Sequence, residues 1–230
     1  MQYAFLIWSL ALIVIWTIVY FLVRSKEIRH EMLVVSLVTS LLGFSEPLFV
    51  PAYWNPPTLF NLAQRTGFDI ESLIFAFGIA GLVAVSYELL FGAHHVAMAS
   101  HERSSARHRW HVVALASPPV ILLVFLATGI NPIYASFAAF VGAGFFTAFC
   151  RPDLIKKMLV SGALFTGFYF VFFLTLVLAY PDYVHHVWNL DALSGILILG
   201  VPLEELMFAA GFGFLWSSIY EHTRWYRVMR

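Results

Sequence analysis

The chain has 230 residues, 61% of them hydrophobic and only 11% charged, with 13 basic and 13 acidic residues balancing to zero net charge. A soluble domain places about a quarter of its positions in Asp, Glu, Lys and Arg, so much of this surface must face something other than water. The single cysteine, Cys150, excludes an internal disulfide framework and a cysteine metal cluster. At the expected end of a helix, it reads as a bystander.

Apolar stretches of about 20 residues, enough to cross a hydrocarbon layer of about 30 Å, recur along the chain. Residues 3–23 form the first, without the basic region and small-residue cleavage site of a signal peptide. They are expected to stay as a membrane span, ending in Arg24, Lys26 and Arg29. Further spans are predicted over 32–50 and 70–93. After the polar stretch His94–Trp110 come 112–130 and 133–149, divided by Asn131-Pro132, then 158–180. The last stretch, 190–220, is interrupted by Gly200 and Pro202. As one helix it would run about 46 Å, too long for a bilayer. Pro202 also cannot donate to the carbonyl four residues back. A short outer segment, a break near Pro202 and a main helix are therefore expected.

The basic residues give this layout a direction. Arg24, Lys26, Arg29, Arg103, Arg107, Arg109, Arg151, Lys156, Lys157, Arg224, Arg227 and Arg230 fall on one side, and only Arg65 on the other. By the positive-inside rule the N-terminus is outside and the C-terminus cytoplasmic. That partition requires an odd number of spans. The expectation is an all-α, single-domain, multi-pass bundle of seven transmembrane helices in the cytoplasmic (inner) membrane, its seventh span broken near Pro202.

The chain also resembles itself. At a constant offset of 133 residues, GFDIESLIFAFGIAGLVAVSYEL from Gly67 faces GVPLEELMFAAGFGFLWSSIYEH from Gly200. Glu71 aligns with Glu204, Phe75 with Phe208, Gly78 with Gly211, and Tyr87-Glu88 with Tyr220-Glu221. Upstream lie Trp54-Asn55 and Trp188-Asn189. A parallel internal repeat, approximately 1–110 and 111–230, would place a substrate site where the two copies meet.

Ionisable groups inside a bilayer are costly and mark function by default. Glu204 and Glu205 lie just inside the break, where the restarted helix offers free N–H groups and the positive end of its dipole. Being about 100° apart around the helix, they cannot do the same job. Glu46 lies along the second span and Glu71 near the start of the third. Asp69 and Asp191 read as interfacial, and Glu88 and Glu221 as structural groups near the cytoplasmic ends. Each of these glutamates could instead only pin helices together, and Trp54 and Trp188 could be interface anchors. His94, His95, His101, His108 and His111 cluster in one cytoplasmic loop, with His185-His186 on the opposite face. They lack HxxxH and HxxHH spacing and read as solvated or headgroup-facing, so no metal is expected. No GxGxxG or GxxxxGK[ST] announces a nucleotide. The three lysines fall at membrane faces, which argues against a retinal Schiff base.

The segments EPLFVPAYWNPPTLFNLAQRTGFDIES, CRPDL and WNLDALSGILILGVPLEELMFAAGFGFLWSSIYEH resemble the membrane-embedded lycopene cyclase family, as two joined repeats covering the chain. Pro202-Leu203-Glu204-Glu205 matches its PxEE hallmark. The first repeat, Phe68-Asp69-Ile70-Glu71-Ser72, lacks the proline and the second glutamate. The resemblance implies cyclisation of acyclic carotenoid ends to β-ionone rings, without net redox and without a cofactor. Catalytic candidates are Glu204, Glu205, Glu46 and Glu71; substrate-binding candidates are Phe208, Tyr53, Trp54, Trp188, Asn55 and Asn189. The implied partners are a lipophilic polyene drawn from the bilayer and membrane lipids, with no nucleic acid; an oligomeric state is not implied. Two alternatives stand beside it: a non-catalytic carotenoid- or lipid-binding membrane protein, and a cyclase acting on another isoprenoid. A Mg²⁺-dependent prenyltransferase is disfavoured by the absence of Asp-rich diphosphate motifs.

Overall fold

The computed structural model describes residues 2–229; Met1 and Arg230, the last of the grouped basic residues, lie outside the described residues. The first span is α1 (Ala4–Leu22). Its faces separate at helical spacing. Phe5, Ser9, Leu12 and Trp16 are buried, whereas Ile7, Leu10, Val14, Ile18 and Phe21 are exposed apolar side chains. An apolar outward face of this kind suits lipid, not water.

The second span is α2 (Lys26–Ser40), capped by Ser25, continued by a 3-10 segment over Leu41–Leu48. A short α3 (Leu62–Thr66) precedes α4 (Ile70–Phe91), which Asp69 caps and Gly92 ends at φ 63°. Strand β1 (His94–Ala97) and the single turn α5 (Ser100–Arg103) lead to α6 (His111–Leu126). Next are α7 (Pro132–Cys150), α8 (Ile155–Ala179) and the short α9 (Tyr183–Val187). Asn131 caps α7, with Pro132 in its first turn, where a missing N–H costs little. Among the described residues, six helical stretches have the length and apolarity to cross a membrane: 4–22, 26–48, 70–91, 106–126, 132–150 and 152–179.

The last apolar stretch differs from a broken pair of helices. Strands β2 (Leu197–Ile198) and β3 (Val201–Pro202) form a hairpin, followed directly by α10 (Leu203–Trp216). Leu199 and Gly200 make its two-residue turn, both at positive φ (52° and 87°), which suits the right-handed twist of paired strands. A Cβ on Gly200 would stand 2.7 Å from the Val177 side chain of α8, so glycine also permits the tip to press on that helix. Pro202 sits just before the first turn of α10. That helix, 14 residues long, is shorter than the other six. After Ser217 and Ser218 the chain resumes as α11 (Ile219–Arg224) and β4 (Tyr226–Met229).

Packing divides into two similar groups. Helices α1 and α2 pack on α4, and α7 and α8 pack on α10; α6 lies on α7, and α4 meets α8 between the groups. At the end rich in Lys and Arg, here the basic end, β1 pairs antiparallel with β4. His95 departs there from its expected solvated placement, whereas His94 and His101 are exposed as expected; Lys157 lies on the expected side but is enclosed. Lys157 is 2% exposed and donates to Glu88 at 2.7 Å, to Glu31 at 3.4 Å and to Glu221. His95 is also buried, 3.0 Å from Glu221 and 3.4 Å from Glu31. This cluster ties α2, α4, α8, α11 and β1 together.

Removing one member of a buried ion cluster strands the charges left behind, at about 3–5 kcal/mol. Lys157→Met should therefore lower the thermal midpoint of the detergent-solubilised protein sharply. Adding Glu88→Gln in the same chain should recover part of that loss.

Candidate active site

The site lies at the end of the bundle opposite the basic end. The extended backbone of Pro202 turns the chain into α10, so that Glu204 and Glu205 occupy its first turn. Both are buried, at 1% and 6% exposure, and a carboxylate removed from water must be met by donors. Glu205 is met at both oxygens. The Tyr53 hydroxyl donates to Oε1 at 2.5 Å, Trp188 Nε1 donates to the same oxygen at 2.9 Å, and the Tyr169 hydroxyl donates to Oε2 at 2.6 Å. Trp188 Nε1 also lies 3.0 Å from the Tyr53 hydroxyl, closing a triangle. Burial, then the adjacent Glu205 carboxylate, pushes the Tyr53 phenol well above its ordinary pKa, so Tyr53 keeps its proton and donates.

Glu204 has separate partners. Both the Tyr134 hydroxyl (2.6 Å) and the Ser194 N–H (2.8 Å) donate to its Oε1. The two glutamates thus face different surroundings, as their angular separation requires. Glu46, near the end of the 3-10 segment, accepts from Trp54 Nε1 at 2.8 Å and from Ser72 Oγ at 3.0 Å. Ser72 Oγ stands 3.2 Å from Asp69 as well; with one hydroxyl proton it serves one carboxylate at a time. Asp69 is buried at the start of α4 and accepts the Ser72 N–H. Burial raises its carboxyl above the ordinary value, against the Ser72 bonds.

Glu71 accepts the Leu59 N–H at 2.7 Å through Oε1, while its Oε2 has no hydrogen-bond partner. It occupies the second helical position of α4, as Glu204 does in α10, and each accepts a backbone N–H from the loop before its helix.

The two Trp-Asn pairs meet. Trp54 and Trp188 form an isolated antiparallel bridge, in which Asn55 N–H donates to Val187 (2.8 Å) and Asn189 N–H to Tyr53 (2.9 Å). The indole centroids are 5.3 Å apart, and both N–H groups are used inward on carboxylates. Asn55 and Asn189 themselves are exposed and fasten the loops: Asn55 Oδ1 accepts from Gln64, and Asn189 Nδ2 donates to the Ala52 carbonyl. They do not touch the carboxylates. Phe208 lies one turn beyond the glutamates, its ring 6.2 Å from Tyr169 and stacked on Phe212 at 5.5 Å. Phe75 meets Tyr169 from α4 at 6.2 Å, and Phe173 meets Trp188 at 5.4 Å.

Tyr134, Tyr169 and Ser72 were missed by sequence reasoning. Their signal was weak but physical, since a phenol or hydroxyl within an apolar span needs a partner. Tyr169 is the one hydroxyl-bearing ring in the run FTGFYFVFF.

Fold and site together define a polytopic helical membrane protein with a closed carboxylate–aromatic centre near one end of its bundle. Residues 131–223, within the second half of the chain, match the family model described as Lycopene cyclase. That match supports a carotenoid cyclase role in general. It takes in Tyr134, Tyr169, Trp188, Glu204 and Glu205, whereas Tyr53, Trp54, Glu46 and Glu71 come from outside it. No curated protein and no solved structure matches the chain.

Trp188→Phe keeps the ring but removes the N–H shared by Glu205 and Tyr53. A buried acceptor losing one partner should cost about 1–3 kcal/mol, measurable as a lower thermal midpoint. An unchanged midpoint would show that Glu205 does not depend on this donor.

Proposed function

We propose that the protein is a lycopene β-cyclase-type enzyme whose proton transfers are carried by Glu204 and Glu205. The observation supporting this most directly is the pair of consecutive buried carboxylates, each with its own donors, beside an aromatic wall of Tyr169, Phe208 and Phe75. One carboxylic acid protonates the terminal C1=C2 alkene of an acyclic polyene at C2. The C1 cation is attacked by the C5=C6 alkene, which closes a six-membered ring and moves the charge to C5. A carboxylate then removes the C6 proton and leaves a β-ionone ring. One proton enters and one leaves, so the reaction has no redox balance for a cofactor to supply. Ring faces stabilise the cation, and the closed site keeps water from capturing it. Glu46, beside Trp54 and Ser72, is a second base; Glu71 belongs to the other copy of the helix start and shares its geometry with Glu204.

In this reading α10 is a seventh span, the basic end is cytoplasmic, the N-terminus lies outside, and the protein resides in the inner membrane. The chain is a parallel repeat in which α1, α2 and α4 correspond to α7, α8 and α10. Supporting the repeat are the matching packing of the two groups and the reciprocal Trp54–Trp188 bridge. The polyene is drawn laterally from the bilayer.

The test is expression in lycopene-producing bacterial cells with pigment analysis. Wild type should convert lycopene to monocyclic or bicyclic product. Glu204→Gln and Glu205→Gln should each lower conversion by about 10²-fold or more, the usual scale of general acid–base catalysis, with folded protein retained. Unchanged lycopene with folded wild type would overturn the substrate assignment. Full activity in both variants would move the acid elsewhere.

A further inference from the structure

At the basic end, away from the carboxylate–aromatic site, a second group of side chains has ligand chemistry and two buried ring nitrogens without a hydrogen-bond partner. His111 opens α6, Cys150 ends α7, and His222 lies in α11. One ligand atom from each falls within 4.8 Å of the other two. His222 is 0% exposed, yet its Nε2 has no hydrogen-bond partner, and neither has the buried Nδ1 of His111. A buried imidazole nitrogen left unmet calls for an explanation. Cys150 is also 0% exposed, and its Sγ lies 3.7 Å from His108 Nδ1.

We propose that Cys150, His111 and His222, with His108 as the fourth ligand, form a binding site for a divalent cation of the zinc class. One thiolate and three neutral imidazoles are a borderline-soft donor set of the kind that zinc accepts in tetrahedral geometry. Ligands around such an ion stand about 3.4 Å apart, so separations within 4.8 Å close by modest side-chain rotation. The rings are already oriented. His111 stacks on Trp225 at 3.9 Å, and His222 meets His111 edge-on at 4.6 Å. Thr147, one turn before Cys150 on α7, places Oγ1 3.4 Å from His222 Nδ1. That leaves Nε2 as the ligand atom, with the hydroxyl as the outer partner that metal-bound histidines usually have. The neighbouring Arg151 does not oppose a cation with a free charge, because Asp153 binds it at 2.9 and 2.7 Å.

The other set of suitable residues, Glu31, His95 and Glu221, differs in a decisive way. There the Lys157 ammonium already contacts both carboxylates, so the chain supplies its own cation. The Cys150 group has none. Its ion would join the start of α6 and the last turn of α11 to the end of α7.

The test uses the full-length chain, purified in detergent under reducing conditions, stripped with chelator and titrated with Co²⁺. The expected result is one Co²⁺ per chain, with tetrahedral ligand-field bands and a thiolate-to-cobalt charge-transfer band, all displaced by Zn²⁺. Cys150→Ser should abolish the charge-transfer band, and His222→Gln should weaken Co²⁺ binding by about tenfold or more. Because buried variants can fail to fold, the wild type supplies an independent reading: Zn²⁺ should raise its thermal midpoint. A folded, reduced wild type with no charge-transfer band would overturn the proposal, as would an unaltered band in folded Cys150→Ser.

Discussion

A carboxylate that cannot reach water has to be met by donors, and Glu205 is met by three from three segments of the chain. Tyr53 arrives from the loop after the second span, Tyr169 from α8, and Trp188 from the loop before the hairpin. None of these groups is near Glu205 in sequence except Trp188, 17 residues away. Satisfying one side chain therefore draws the loops of both halves onto the start of α10. The Trp54–Trp188 bridge follows from the same closure, because each indole must reach inward while its backbone pairs outward.

The polar groups of the interior accordingly form two layers. Glu46, Asp69, Glu71, Glu204 and Glu205 stand at one end, and Glu31, Glu88, His95, Lys157 and Glu221 at the other. Glu71 and Glu88 are 17 residues apart on α4, about 26 Å at 1.5 Å per residue. Between the layers most buried side chains are apolar, among them Ile79, Val83, Phe165, Ala209 and Phe212, with small hydroxyls such as Ser36 and Thr39 paired to indole N–H groups. The layers differ in kind. The basic end answers its carboxylates with a lysine, which is suited to holding helices together. The opposite end answers with phenols, indoles and amides, which hold a carboxylate in place without neutralising it.

What could be read from the amino-acid sequence follows from this division. Helical spans announce themselves through length and apolarity, and six of them fell close to their expected limits. Pro202 marked the start of α10 for a reason intrinsic to proline. The segment before it was not legible as a hairpin, because Leu199 at positive φ gives no sequence signal of its own and the apolar run imitates a helix. The burial of Lys157 was not legible because sidedness rules count charges by position along the chain. They do not register that Glu31, Glu88 and Glu221 converge on one of two adjacent lysines. Tyr134 and Tyr169 were hidden among many rings, and only a three-dimensional neighbour separates a hydroxyl that binds from one that merely packs.

The aligned starts of α4 and α10 show why similar segments need not share a role. Asp69 stands where Pro202 stands, and Ser72 where Glu205 stands. In α4 Asp69 caps the helix through the Ser72 N–H, so the helix end is satisfied from within, and the third helical position holds a hydroxyl. In α10 the residue before the helix has no side-chain donor or acceptor, and the third position holds Glu205, whose partners come from elsewhere. The first arrangement is locally complete and needs nothing from the other half. The second is complete only when Tyr53 arrives from the first half and Tyr169 from the second, so the asymmetry of four residues makes one helix start a cap and the other a shared site.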